Sequence, residues 1–113
     1  MPKLLLAEDD PTMVSLLSTL LKMEGFEVVA LDANADVPAA VKSEKPDFML
    51  MDVNIGKQNG LDLLRVIRRD SENAGVRIVM ASGYNVKDEC LERGANHFLL
   101  KPFMPDDLLK LLK

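Results

Sequence analysis

Five side chains in this 113-residue chain are of types that together could handle phosphate: Glu8 and Asp9 in "LLLAEDDP", Asp52 in "FMLMDVN", Ser82 in "RIVMASG" and Lys101 in "HFLLKP". Each stands where a short aliphatic run stops. The carboxylates of Glu8, Asp9 and Asp52 offer only oxygen, which suits a hard cation; Mg2+ keeps several waters and takes one or two carboxylates plus phosphate oxygens. Without a cation, clustered carboxylates repel one another or take up protons. Beside one, a carboxylate can attack phosphorus to form an aspartyl phosphate, and Asp52 is the candidate nucleophile. The Ser82 hydroxyl and the Lys101 ammonium would then hold the phosphoryl oxygens, because this transfer is catalysed mainly by positioning and charge stabilisation.

Such residues meet only if the chain folds to bring the ends of those runs together. The runs are "LLLA" (4 to 7), "FEVVAL" (26 to 31), "FMLM" (48 to 51), "RIVMA" (77 to 81) and "HFLL" (97 to 100), read as five strands. Between the first two, Met13, Leu16, Leu17, Leu20 and Leu21 recur at helical spacing before a stop at Gly25. A second helix runs from about Asp36 through "VPAAVKSE", with Pro38 in its first turn and Pro46 beyond its end. "GLDLLRVIRR" makes a third, "VKDECLERG" barely two turns of a fourth, and "PDDLLKLLK" a fifth that ends at Lys113. Runs without polar alternation suit strands covered on both faces, and short βα crossovers make parallel pairing the default. The expectation is an α/β doubly wound five-stranded parallel sheet with helices on both faces. In such sheets ligands bind outside the carboxyl ends of the strands, where Glu8, Asp9, Asp52, Ser82 and Lys101 fall.

Composition narrows the class. A chain of this length is expected to form one domain, residues 1–113. It is 48% hydrophobic but 4% aromatic, so the core must be aliphatic. Fourteen basic against eighteen acidic residues leave a net charge of -4, which gives the domain no general attraction to nucleic acid or anionic lipid. Cys90 is the one cysteine, so an internal disulfide and a multi-thiolate metal site are both excluded, and a reducing cytoplasmic location is expected. The start of the chain lacks the pattern of a signal peptide, and no segment approaches the length of a membrane span.

Taken together, "AEDDP", "LMDVNIGKQNG", "MASGY" and "FLLKPF" resemble the receiver domain of two-component response regulators over essentially the whole chain. The resemblance implies a flavodoxin-like sheet of strand order 2-1-3-4-5. It makes Asp9 a direct Mg2+ ligand, Glu8 a partner acting mostly through water, Asp52 the phosphoacceptor and Asn54 a donor of its backbone carbonyl to the metal. Ser82 becomes the switch hydroxyl, Lys101 the phosphate-binding lysine and Phe98 the switch aromatic. Pro102 after Lys101 matches the family's Lys-Pro, often a cis bond, and Gly60 falls eight residues after Asp52 as the pattern requires. Two features depart from the family. Gly56 stands where many members carry proline, which makes "GKQNG" more permissive. Nineteen positions separate Ser82 from Lys101, about three fewer than the family pattern, which implies a fourth helix shortened by about one turn and an altered partner-binding face.

Plainer readings stand beside these. Asp10 before Pro11 is a helix N-cap with proline at N1. Phe98 reads by residue type as core, the switch role coming from the resemblance. His97 is expected to be exposed, Cys90 a small helix residue, and the seven methionines gap fillers in the core. The leading functional expectation is a phosphorylation-controlled switch that takes its phosphoryl group from a histidine kinase or phosphotransfer protein, with Asn54 and Tyr84 placed to tune hydrolysis. Its output would come from a partner protein or from sequence outside this chain. The first alternative is a docking module that works without phosphorylation. A Mg2+-dependent phosphatase is a second, but the chain offers no extra acid or base for turnover of an external ester, so no enzymatic activity beyond its own phosphotransfer is expected. Flavin binding is disfavoured because the first loop is acidic where a phosphate-binding loop wants glycines and free amides.

Overall fold

A computed structural model of the chain describes residues 1–112. Strands β1 (Lys3–Ala7), β2 (Glu27–Leu31), β3 (Phe48–Asp52), β6 (Arg77–Ser82) and β7 (His97–Leu100) form one sheet, and β4 (Asn54–Ile55) and β5 (Gln58–Asn59) form a separate small hairpin. The sheet order is β2-β1-β3-β6-β7 with every pair parallel, which is the expected 2-1-3-4-5 order once the hairpin is set aside.

The unbroken aliphatic runs are explained by cover on both sides. On one face Leu5, Met49, Met51, Ile78 and Met80 pack against Val37 and Val41 of α2 (Val37–Glu44), Leu64 and Ile67 of α3 (Gly60–Arg69) and Cys90 of α4 (Lys87–Glu92). The alternate residues Leu4, Leu6, Leu50 and Val79 meet Leu17 and Leu21 of α1 (Pro11–Met23) and Leu108 and Leu112 of α5 (Pro105–Leu112). Period-two alternation thus sends each strand into two separate apolar clusters. The last residue of the expected fifth helix, Lys113, lies outside the described residues.

Helix ends follow from local chemistry. The Asp10 carboxylate accepts from the amides of Thr12 (2.9 Å) and Met13 (3.5 Å), Asp36 caps α2 through the Ala39 amide (3.1 Å), and Asn59 caps α3 through the Leu61 amide (2.9 Å). Helix α4 has six residues and no side-chain cap, in keeping with the short fourth helix expected. Gly60 is fixed by crowding: a Cβ there would fall against the backbone of Asp52 and Val53, 2.9 Å from the Val53 Cα. The Lys101–Pro102 peptide is cis.

The amino ends of the strands are tied down by polar contacts. Lys3 Nζ reaches Glu44 (3.2 Å) and Glu27 (3.5 Å), while its amide donates to Asp47 Oδ2 (2.8 Å). Arg68, at the far end of α3, donates to the carbonyls of Gly94 (2.8 Å), Asn73 (2.8 Å) and Val76 (2.7 Å) and to Asn96 Oδ1 (2.9 Å). All four acceptors are neutral, and burial pulls the guanidinium pKa below its ordinary value.

Some expectations need correction. Leu16 is 48% exposed, because the buried stripe of α1 centres on Leu17 and Leu21 with Met13 and Val14 beside them. Met49, Met51 and Met80 fill the core and the half-buried Met13 of α1 packs against it, but Met1, Met23 and Met104 are exposed at or near element ends, so the gap-filler reading does not hold for all seven. His97 is half-buried on β7, paired in register with Val79. Asp52 and Ser82 are the last residues of their strands, not the first beyond them, and "GKQNG" is a formed hairpin leading into α3.

Two outcomes test this packing. Gly60→Ala should lose about 1–3 kcal/mol in urea denaturation, the usual cost of overpacking a tight site. Burial raises the Cys90 thiol pKa, with Glu89 adding to the effect; the native protein should therefore react slowly with a thiol reagent at pH 8 and rapidly once unfolded.

Candidate functional site

The parallel register builds the site. Ala7 lies opposite Met51, and Asp52 opposite Ala81, so the residues closing β1, β3 and β6 form one rim at the carboxyl edge of the sheet. Glu8 follows β1 directly, Ser82 is one step beyond Ala81, and Lys101 follows Leu100, the register partner of Ser82. The Lys101 amide donates to the Ser82 carbonyl (2.8 Å) and extends the β6–β7 pairing by one bond.

Glu8, Asp52 and Ser82 are buried, at 5%, 8% and 1% exposure, whereas Asp9 is exposed. One carboxylate oxygen from each of Glu8, Asp9 and Asp52 falls within 4.8 Å of the others, so the three can share a small cation. The positive charge already present among them is Lys101, whose Nζ lies 2.9 Å from both Glu8 Oε2 and Asp52 Oδ2. Sequence reasoning assigned this ammonium to phosphoryl oxygens alone; here it also bridges two acids.

Each acid also has one carboxylate oxygen on a backbone amide. Glu8 Oε1 accepts from Asp10 at 3.2 Å, Asp52 Oδ1 from Asn54 at 3.4 Å, and Asp9 Oδ2 from Gly56 at 2.8 Å. Burial raises the Glu8 pKa, with the Asp52 charge adding to the rise and the Lys101 hydrogen bond opposing it. Burial pulls the Lys101 ammonium down, but its hydrogen bonds to Glu8 and Asp52 outweigh that and leave its pKa raised.

The donor set fits Mg2+: three hard carboxylates converge at one strand edge, two of them buried and joined to a single ammonium. Ser82 Oγ accepts the Tyr84 amide (3.0 Å), and Tyr84 itself is 71% exposed. Phe98 is half-buried, paired in register with Met80 and packed on the cluster that holds Met49 and Met51. Asn54 is exposed and opens the β4–β5 hairpin. The contact of Gly56 with Asp9 was not anticipated; the one signal for it was an unusual glycine in that loop. A larger open cleft lies at the other end of the sheet, lined by residues including Lys42, Lys45, Asp47 and Arg77, and includes none of the carboxyl-edge residues.

Charge balance here has a testable sign. Lys101→Met leaves Glu8 and Asp52 without their shared partner and should raise the Glu8 pKa further. A carboxyl with a raised folded pKa is penalised only when ionised, so the penalty is absent below the ordinary carboxyl range and grows as pH rises through the raised value. In metal-free buffer the variant's stability deficit should be small at pH 4 and about 2 kcal/mol at pH 7, below the usual value for a fully buried pair because Lys101 is partly exposed. Urea denaturation at both pH values measures it.

With this geometry established, comparison with known proteins is direct. The sequence pattern described as "Response regulator receiver domain" matches residues 4–113. The chain is 40% identical to "Transcriptional regulatory protein CpxR homolog" of Haemophilus influenzae over 115 residues, covering 100% of this chain and 49% of that protein. It is 34% identical to "DNA-binding response regulator MtrA" of Mycolicibacterium smegmatis over 110 residues, covering 95% of this chain and 47% of that protein. The chain thus spans about half the length of the curated relatives it matches. Among solved structures, the chemotaxis response regulator CheY4 of Vibrio cholerae superposes with a TM-score of 0.90 at 28% identity, over 99% of this chain and 96% of that one. A carboxyl-edge acid cluster, a matching fold and a pattern match along nearly the whole sequence have one explanation: the chain belongs to the response regulator receiver domain family.

Proposed function

We propose that residues 1–113 act as one receiver domain that accepts a phosphoryl group on Asp52 from a histidine kinase or a histidine phosphotransfer protein. The observation that carries this reading is the Lys101 ammonium, 2.9 Å from both Glu8 and Asp52 at the rim where Asp9 also lies. Glu8, Asp9, Asp52 and the Asn54 carbonyl would hold Mg2+. When bound, the cation supplies charge stabilisation to the phosphoryl oxygens.

The transfer needs little from the chain beyond placement. An Asp52 carboxylate oxygen attacks phosphorus, the P–N bond of the donor phosphohistidine breaks as the P–O bond forms, and the imidazole leaves with its electron pair and takes up a proton. Lys101 lies beside Asp52 and can follow the negative charge from the carboxylate to the phosphoryl group. Ser82 closes the neighbouring strand; its hydroxyl can exchange the Tyr84 contact for a phosphoryl oxygen. Phe98, half-buried next to that strand, would then move inward, shifting the population between two arrangements of the surface around α4, β7 and α5.

Output would pass to a partner protein or to an attached output domain, in the cytoplasm; contact with DNA, named for the MtrA relatives, would belong to such a domain and not to this one. Among the described residues no helix is long and apolar enough to cross a membrane. The domain would carry no enzymatic activity besides its own phosphotransfer.

With Mg2+ and acetyl phosphate the protein should gain the mass of one phosphoryl group, and beryllofluoride should shift the NMR signals of Ser82 and Phe98. Asp52→Asn should show neither effect. Absence of an Asp52-dependent adduct would overturn the switch reading and favour a docking role independent of phosphorylation. Mg2+ at 100 times its dissociation constant should also stabilise the fold by about 2.7 kcal/mol.

A further inference from the structure

Asp9 is the exposed member of the acid cluster, and a carboxylate on the surface is ordinarily free to rotate. Here it is held. The Gly56 amide donates to Asp9 Oδ2 at 2.8 Å across forty-seven positions of sequence. Gly56 has φ +56°, so the amide is presented by a left-handed turn at the tip of the β4–β5 hairpin. That tip rests on the loop after β2: a Cβ on Gly56 would lie 3.1 Å from the Ala33 Cβ and 3.2 Å from the Ala33 carbonyl oxygen. Gln58, two residues on, spends its side-chain amide on the same loop, donating from Nε2 to the carbonyls of Ala33 (2.9 Å) and Ala35 (3.0 Å). The loop is braced in turn by Asp32, whose Oδ1 accepts the Asn34 amide at 2.7 Å.

We propose that the Asn54–Asn59 hairpin braces the Asp9 carboxylate for the cation, with the Gly56 amide as positioning group and Gln58 as the anchor that fixes it to the loop after β2. With Oδ2 tied to an amide, the carboxylate keeps one orientation, and less freedom is lost when its other oxygen takes a cation. Hydrogen-bonded partners behind ligand atoms commonly govern metal affinity in this way. Cation affinity at the rim therefore depends on contacts made by a side chain that touches neither the metal nor any acid. Binding of any molecule that displaces the loop at Ala33 to Ala35 would weaken the site through the same chain.

The inference rests on the Mg2+ reading above, and its test separates the two. Mg2+ alone is titrated into wild type, Gln58→Met and Gly56→Pro, followed by NMR shifts of Asp52 and Asp9 amides, with melting temperatures taken in chelator. Gln58→Met keeps the side-chain length and loses both donors; Gly56→Pro loses the amide hydrogen and the left-handed turn. The expected result is a Mg2+ dissociation constant raised about tenfold or more in Gly56→Pro, the lower end of the range for direct outer partners of metal ligands, and roughly three- to tenfold in Gln58→Met, which acts one contact further away. A folded Gln58→Met with affinity within about twofold of wild type overturns the brace and leaves the metal reading intact. Wild type that takes up no Mg2+ overturns both. If Gly56→Pro fails to fold, Gln58→Met decides alone.

Discussion

The constraint on which the site depends is electrostatic. Three carboxylates share one rim, two of them shut away from water, and such a group must either gain positive charge or lose its own. Lys101 supplies that charge from the far side of the sheet, ninety-three positions beyond Glu8 and forty-nine beyond Asp52. The ammonium can reach both acids because β1, β3, β6 and β7 run parallel in one register, ending together. Topology and charge therefore answer to each other: an antiparallel strand in place of β7 would carry Lys101 to the wrong end of the sheet. The upward shifts of Glu8 and Lys101 express the same balance, with Glu8 pressed toward neutrality by burial and Lys101 held charged by its two partners.

Most of the architecture could be read directly from the chain because its signals are local and strong. Uninterrupted aliphatic runs marked parallel strands, Asp10 before Pro11 marked the first helix, and the short interval between Ser82 and Lys101 marked a brief α4. The family resemblance supplied the strand order. Errors fell where the deciding contacts are tertiary. Leu16 belongs to an apolar spacing, yet whether it is buried depends on how α1 is rotated against Leu4 and Leu6. The exposed Met1, Met23 and Met104 differ from the buried Met49, Met51 and Met80 in position and not in type.

At the site the division is similar. Acids and lysine announced themselves by standing at strand ends. What they touch did not: beyond the unusual glycine at position 56, nothing in the sequence points to an amide on Asp9 or to a glutamine whose donors reach back across two dozen positions. Backbone donors carry no residue identity, so a reading based on side-chain chemistry passes over them. The hairpin that presents Gly56 is two residues per strand, too short for periodicity to register.

The polar ties at the amino ends of the strands give the molecule a mechanical direction. Lys3 on β1 ties that edge to Glu27 of β2, Glu44 of α2 and Asp47 just before β3, and Arg68 on α3 ties it to carbonyls in the turns leading into β6 and β7. At the opposite edge one ammonium joins the acids of two strands, and backbone amides hold each acid in place. The two edges thus differ in kind: one is held by contacts that include no residue of the acid cluster, the other by a balance of charge, so a phosphoryl group arriving at Asp52, as proposed, would disturb the contacts of one edge and none of those at the other.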